Sequence, residues 1–150
     1  LGTRVRRAWE ALGADGVAFD LHDDAPDRLA DADPDQLDQV LWALLDNAAK
    51  YGAGSPVRVR IGRDPDGARL RLTIRDGGPG VREEDRERLF ARFARGAEAS
   101  PDGGSGLGLY VSRELCRAMG GDLVLEPPEA VAGVGAAFSM LLPGESAHEG

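Results

Sequence analysis

Hydrophobic and polar positions change their period several times along these 150 residues, and each change marks an element. Val17, Phe19 and Leu21 alternate with other residues and predict a short strand with one buried face. The stretch from His22 to Ala32 is rich in Asp and contains Pro26, so it reads as loop, with a brief strand at Arg28 to Ala30. Asp33-Pro34 places an N-cap side chain before a proline at the first helical position. Leu37, Val40, Leu41, Leu44, Leu45 and Ala48 then recur at three-and-four spacing, which predicts an amphipathic helix to about Lys50.

After that helix the period becomes two. Val57, Val59 and Ile61 alternate with Arg58, Arg60 and Gly62, and Leu70, Leu72 and Ile74 alternate with Arg69, Arg71, Thr73 and Arg75. Asp64-Pro65-Asp66-Gly67 between them is turn chemistry, so the pair predicts a β-hairpin with one apolar face and one basic, solvated face, packed on the preceding helix. Asp76-Gly77-Gly78-Pro79-Gly80 is too glycine-rich to continue a sheet. A short charged helix is expected from Glu83 to Leu89, and the small residues 94 to 106 form a mobile stretch. A further helix opens near Gly106, carries Val111, Leu115, Ala118 and Met119 on its apolar face and stops at Gly120-Gly121. Strands at Asp122 to Glu126 and Val134 to Leu142 flank Pro127-Pro128, and the tail from Pro143 frays. With no regular βαβ repeat, the expected fold class is α+β: a two-layer sandwich in which about three helices cover one face of a mixed, mostly antiparallel sheet.

Composition narrows the partners. A 15.8 kDa chain is one domain in size, and no apolar run approaches the length of a membrane span. The net charge of -8 argues against nucleic acid, so an anionic ligand must be held locally. The single cysteine, Cys116, excludes an intrachain disulfide and a cysteine-based metal cluster, and a cytoplasmic location is the expectation. The chain starts at Leu1 without a signal segment, and it is expected to be an excised piece of a longer protein, with residues 4 to 12 left from an upstream helix.

One feature of the charge is chemical. Lys50 is the only lysine among 18 basic residues, and the only asparagine, Asn47, lies one helical turn before it. A compact ammonium and an amide on one helix flank suit a ligand, although a dipole-complementing lysine and a cap-side asparagine explain the same placement. Four of the six residues from Gly103 to Gly108 are glycine and open a helix, where free N–H groups and the helix dipole favour phosphate. A P-loop is excluded, since its lysine has no counterpart here. Asp76 ends an apolar-faced strand and is followed by glycines that admit a flat ring. Its carboxylate suits an exocyclic amine, or simply starts a tight turn.

The order of these elements is the specific signal. Leu44-Leu45-Asp46-Asn47-Ala48-Ala49-Lys50-Tyr51 resembles an N box, Asp76-Gly77-Gly78-Pro79-Gly80 a G1 box, Leu89-Phe90-Ala91-Arg92-Phe93 an F box and Gly104-Ser105-Gly106-Leu107-Gly108-Leu109 a G2 box. Over residues 16 to 143 the chain thus resembles the catalytic ATP-binding domain of bacterial two-component sensor histidine kinases, in the superfamily of DNA gyrase, Hsp90 and MutL. The resemblance implies the Bergerat fold of that superfamily with a flexible ATP lid, a linker remnant over 1–15 and a disordered tail over 144–150. It implies ATP and Mg²⁺ as ligands, with the Asn47 oxygen on the metal, Lys50 on phosphate, Tyr51 against the adenine and Asp76 accepting from the adenine amino group. Gly78 and Gly80 would shape the base pocket, Arg92 would reach the γ-phosphate, and Phe90 and Phe93 would seat the lid. Gly104, Ser105, Gly106, Leu107, Gly108 and Leu109 would wrap the phosphates.

Two positions depart from the family pattern. Ala43 stands where a second asparagine is common, and gyrase-type members carry a water-activating glutamate there, so ATP hydrolysis is not the expected purpose. Gly77 stands where asparagine is usual, a minor change. The acceptor histidine of such kinases belongs to a separate dimerisation domain. His22-Asp23 lies in the Asp-rich loop and His148 in the tail, so neither is expected to be that acceptor. Cys116, Trp9 and Trp42 are expected in packing, and the charges of Arg82 to Arg88 on a solvated face. The function implied is transfer of the ATP γ-phosphate to a histidine on the absent dimerisation domain, with a response regulator downstream. The fragment is expected to be a monomer without direct membrane contact, binding ATP with little turnover of its own. A degenerate nucleotide-binding module acting through protein contacts, kept open by Ala43, and an anti-sigma-type serine kinase are the alternatives.

Overall fold

The computed structural model describes residues 1–14, 16–26, 29–52, 54–64, 69–78, 80–81, 83–86, 89–90, 108–127 and 135–145. In chain order the elements are α1 (Gly2–Leu12), β1 (Phe19–Asp23), β2 (Leu29–Ala30), α2 (Pro34–Tyr51), β3 (Val57–Arg63), β4 (Arg69–Arg75), α3 (Glu83–Arg86), α4 (Gly108–Ala118), β5 (Asp122–Leu125) and β6 (Ala137–Glu145). β1 runs parallel to β3, and the other pairings are antiparallel: β3 with β4, and β6 with β4, β5 and β2. This is the expected mixed, mostly antiparallel sheet.

Strand periodicity sorts the side chains. Ile61 lies opposite Leu72, and Leu123 opposite Met140, so alternate residues of β3, β4, β5 and β6 turn to one face. There they meet Leu41, Leu44 and Leu45 of α2, Val5 of α1 and Cys116 of α4 in one buried core. Burial, reinforced by the nearby charge of Asp122, pushes the Cys116 thiol up to about 12, so it packs as an apolar side chain, as expected, and not as a thiolate. α2 starts where the sequence places it: Oδ1 of Asp33 accepts from the backbone N–H groups of Asp35 and Gln36, each at 3.0 Å.

The opposite face is basic but not simply solvated. Arg60 Nε donates to Asp24 at 3.0 Å and Arg71 Nε to Asp64 at 3.0 Å. Arg71 also pairs with Glu126, whose carboxylate accepts from the buried Ser139 hydroxyl; Ser139 shares a 2.8 Å hydrogen bond with Thr73. Arg86, expected on a solvated helix face, donates to the backbone carbonyl of Glu126.

Other differences have local causes. His22 is in β1 rather than a loop, because it pairs in register with Arg60; its ring is exposed, with Nε2 2.7 Å from Asp24. Trp42, expected in packing, is 46% exposed on α2. β6 continues past Leu142 through Gly144 and Glu145, because β2 pairs with them. α4 is seen from Gly108, whereas 106 and 107 lie outside the described residues, as do 87 and 88 after α3.

The expected trace of an upstream helix is a packed element. Val5 is fully buried, Arg4 holds both oxygens of Asp38 at 3.0 and 2.9 Å, and Trp9 stacks on Phe19 with ring centroids 4.7 Å apart. Removing two buried methyl groups by Val5→Ala is expected to lower stability by about 1.5 kcal/mol. Urea unfolding of the whole chain checks this, and a change within about 0.3 kcal/mol would show that burial of Val5 does not help to anchor α1.

Candidate functional site

α2 carries the residues singled out at its C-terminal end. Asn47 is partly exposed on the flank beside the buried stripe, and Lys50 stands one turn further on. The Lys50 ammonium is 3.1 Å from Asp46 Oδ2, one turn back on its own helix, so its charge is oriented rather than loose. Asp46, a residue the sequence reading did not single out, is thereby the ion-pair partner of Lys50. Tyr51 ends the helix, and Gly52 follows with its N–H on the Ala48 carbonyl at 2.9 Å.

β4 delivers Asp76 to the same place. The strand is buried on its apolar face up to Ile74, and Asp76 follows with only 5% of its surface exposed. Its Oδ1 accepts from the Gly78 N–H at 2.9 Å, an Asx turn, and its own N–H donates to the Ala136 carbonyl at 3.0 Å. One carboxylate oxygen is thus engaged by the backbone, and an ionised carboxylate has further lone pairs with which to accept. Burial raises the Asp76 pKa from its ordinary value, although the hydrogen bonds at Gly78 and Ala136 oppose the shift.

Small residues bring these pieces together. A Cβ on Gly52 would lie 3.2 Å from the Asp76 Cβ, so the end of α2 and the end of β4 abut through a residue without a side chain. Gly80 has φ +81°, and a Cβ there would sit 2.9 Å from the Gly135 carbonyl. Gly135, which precedes β6, has φ +124°, and a Cβ on it would fall 2.0 Å from the Asp76 carbonyl oxygen. Gly80 and Asp76 are therefore backed by the same stretch of chain. Ser55 completes the junction: its hydroxyl accepts from the Gly77 N–H at 2.9 Å and donates to the Gly52 carbonyl.

Gly108 opens α4 and Leu109 packs partly against the core. Phe90 meets Phe138 edge-on, with centroids 6.1 Å apart, and carries the Arg113 guanidinium 4.6 Å from its ring centre. Arg92, Phe93, Gly104, Ser105, Gly106 and Leu107 lie outside the described residues. The structure thus brings the α2 terminus, Asp76, Gly78 and Gly80 to one junction. The sequence reading missed Gly52, Ser55 and Gly135. The small residues of Val134-Gly135-Ala136-Ala137 were the only hint for the last of these, and nothing local marked Ser55.

Residues 32–146 match the family model described as histidine kinase-, DNA gyrase B- and HSP90-like ATPase. The chain is 38% identical over 139 residues to the signal transduction histidine-protein kinase AfsQ2 of Streptomyces coelicolor, covering 91% of this chain and 23% of that protein. It is 45% identical over 95 residues to the sensor histidine kinase AruS of Pseudomonas aeruginosa, covering 60% of this chain and 10% of that protein. The chain therefore spans between a tenth and a quarter of the length of these relatives. Among solved structures, the mycobacterial sensor histidine kinase MprB superposes with a TM-score of 0.81 at 31% identity, covering 95% of each chain. Full-length ShkA in complex with AMPPNP superposes at 0.78 with 28% identity, covering 97% of this chain and 30% of that one. On fold, family match and relatives together, the chain belongs to the histidine kinase-, gyrase B- and HSP90-like ATPases, and within them to the catalytic domains of sensor histidine kinases.

Proposed function

We propose that this domain binds ATP with Mg²⁺ and passes the γ-phosphate to a histidine on a separate dimerisation domain of its parent kinase, which feeds a response regulator. The carrying observation is Asp76: a buried carboxylate, fixed by the Gly78 N–H and set against the end of the helix that bears Asn47 and Lys50. A buried carboxylate beside glycines suits an adenine amino group, and the spare oxygen selects a donor at that position over the carbonyl of guanine.

Among the described residues no three His, Cys, Asp or Glu side chains converge to hold a metal. The fit is to an ion that brings phosphate and water oxygens with it, and the Asn47 amide oxygen is a suitable hard ligand on the exposed flank of α2. When bound, Mg²⁺ neutralises phosphate charge. Lys50, oriented by Asp46, adds a second positive charge, with Arg92 as its partner at the γ-phosphate. Tyr51, Gly78 and Gly80 hold the base, Phe93 seats the lid, and Gly104, Ser105, Gly106, Leu107, Gly108 and Leu109 close on the phosphates. In the transfer the bond from the γ-phosphorus to the bridging oxygen breaks, a bond to the histidine nitrogen forms, and ADP leaves. Positioning and charge neutralisation supply the rate. The acceptor is supplied by the partner domain, because His22 sits exposed on edge strand β1 against Asp24 and is not on a helix.

Calorimetric titration with ATP and GTP, with and without Mg²⁺, tests this reading. The expected result is micromolar to sub-millimolar affinity for ATP, preference for adenine and a loss of strength without Mg²⁺. Ala43 on α2 supports a second reading, a nucleotide-holding module without transfer. Addition of a histidine-bearing dimerisation domain separates the two, since only a kinase labels it from γ-labelled ATP. A partner labelled on serine instead points to the serine kinase.

A further inference from the structure

Three contacts hold the Asp76 turn. The carboxylate is fixed by the Gly78 N–H within the turn, and the Asp76 N–H is fixed by Ala136 at the start of β6. The third is the Gly77 N–H, which donates to Ser55 Oγ at 2.9 Å. Among the described residues this third hydrogen bond is the one that ties the turn to α2, because Ser55 follows that helix and its hydroxyl donates in turn to the Gly52 carbonyl at the helix end. The Ser55 backbone N–H donates to the same carbonyl at 3.0 Å, so the serine is itself held.

We infer that Ser55 is a positioning residue that sets the spacing between the base-recognising carboxylate of Asp76 and the phosphate-facing end of α2, and so tunes both nucleotide affinity and adenine preference. This rests on the function proposed above. A nucleotide is a ligand of nearly fixed length. Its base and its phosphates are both satisfied only when the two protein ends stand at the matching distance, and an error of about 1 Å is costly. The Ser55 hydroxyl has one proton and open lone pairs, and the structure uses it in both directions: the proton goes to Gly52 and a lone pair receives the Gly77 N–H. The absence of a side chain at Gly52 and Gly77 makes the approach possible, since a Cβ on Gly77 would already touch the Ser55 Cβ at 3.0 Å.

The test compares the whole chain with its Ser55→Ala and Ser55→Thr variants. Alanine removes both bonds, and threonine keeps the hydroxyl. In the ligand-free proteins, amide hydrogen exchange at Gly77 is expected to speed up by about tenfold in Ser55→Ala and to return toward the original rate in Ser55→Thr. In calorimetry, Ser55→Ala is expected to bind Mg-ATP about tenfold more weakly and to lose much of its preference over GTP, with Ser55→Thr restoring both. Unchanged Gly77 exchange and unchanged affinity in Ser55→Ala overturn the inference. Equal losses for ATP and GTP that follow a fall in thermal midpoint also overturn it, because they mark a merely structural serine. If Ser55→Ala does not fold, Ser55→Cys, whose thiol weakens both bonds, takes its place: a lowered ATP to GTP ratio supports the inference, and unchanged affinity with the original ratio overturns it. The unsubstituted chain is titrated first: failure to bind any nucleotide overturns the functional reading, and with it this one, whereas normal binding with an indifferent Ser55→Ala overturns this one alone.

Discussion

Asp76→Asn is expected to bind Mg-ATP about 10- to 150-fold more weakly than the unsubstituted chain, the equivalent of losing about 1.5–3 kcal/mol from one charge-assisted hydrogen bond in a dry site. The asparagine oxygen can still accept from the Gly78 N–H, so the turn survives; the other position becomes an NH₂ that faces the adenine amino group donor to donor. The same substitution has a second, opposite signature in stability. Burial raises the Asp76 pKa above its ordinary value of 3.8, so the folded state binds the proton more tightly than the unfolded one. The buried charge therefore costs stability once pH exceeds both values, and the cost fades as pH falls through the raised folded value and below 3.8. Asp76→Asn should unfold at or above the original midpoint at pH 7 and lose that advantage at pH 3. Tight nucleotide binding by the variant, or a midpoint well below the original at pH 7, would contradict the assignment.

Gly135→Ala has the broadest expected consequence. With φ at +124° the backbone is strained for any residue with a side chain, at a cost of about 1–3 kcal/mol. The added Cβ would also lie 2.0 Å from the Asp76 carbonyl oxygen, so either β6 or the Asp76 turn must move. Thermal unfolding should report at least the strain cost, and calorimetry should report a loss of ATP affinity of more than about tenfold in whatever fraction remains folded. A distant control is Val5→Ala, which touches the core through α1 and should lower stability without changing the affinity of the folded protein. If Gly135→Ala binds normally, the segment before β6 does not set the position of Asp76.

The two substitutions show how differently the parts of this site enter the chain. Asn47, Lys50 and Asp76 stand out in one dimension because each is locally anomalous: the only asparagine, the only lysine, and an acid at the end of an apolar strand followed by glycines. The N-cap at Asp33, the α2 stripe and the alternation in β3 and β4 are likewise local, since backbone geometry and a helix or strand period are properties of consecutive residues. For that reason α2, the β3–β4 hairpin and the buried face were legible in the sequence, whereas the extent of β1 and β6, which strand pairing sets, was not.

Contacts between distant residues were not. Ser55 meets Gly77 across 22 positions and Glu126 meets Arg71 across 55, and no period or propensity records such a meeting. The small residues at Gly52 and Gly135 look like ordinary loop glycines until their neighbours across the junction are known. Trp42 shows the reverse error: it borders the apolar stripe in sequence, yet the helices that pack on α2 leave it uncovered. Local chemistry was enough to say what kind of domain this is and to single out the groups proposed to meet the nucleotide. How far apart those groups stand is a matter of strand pairing and side-chain packing, which arise only when residues far apart in the chain share one core.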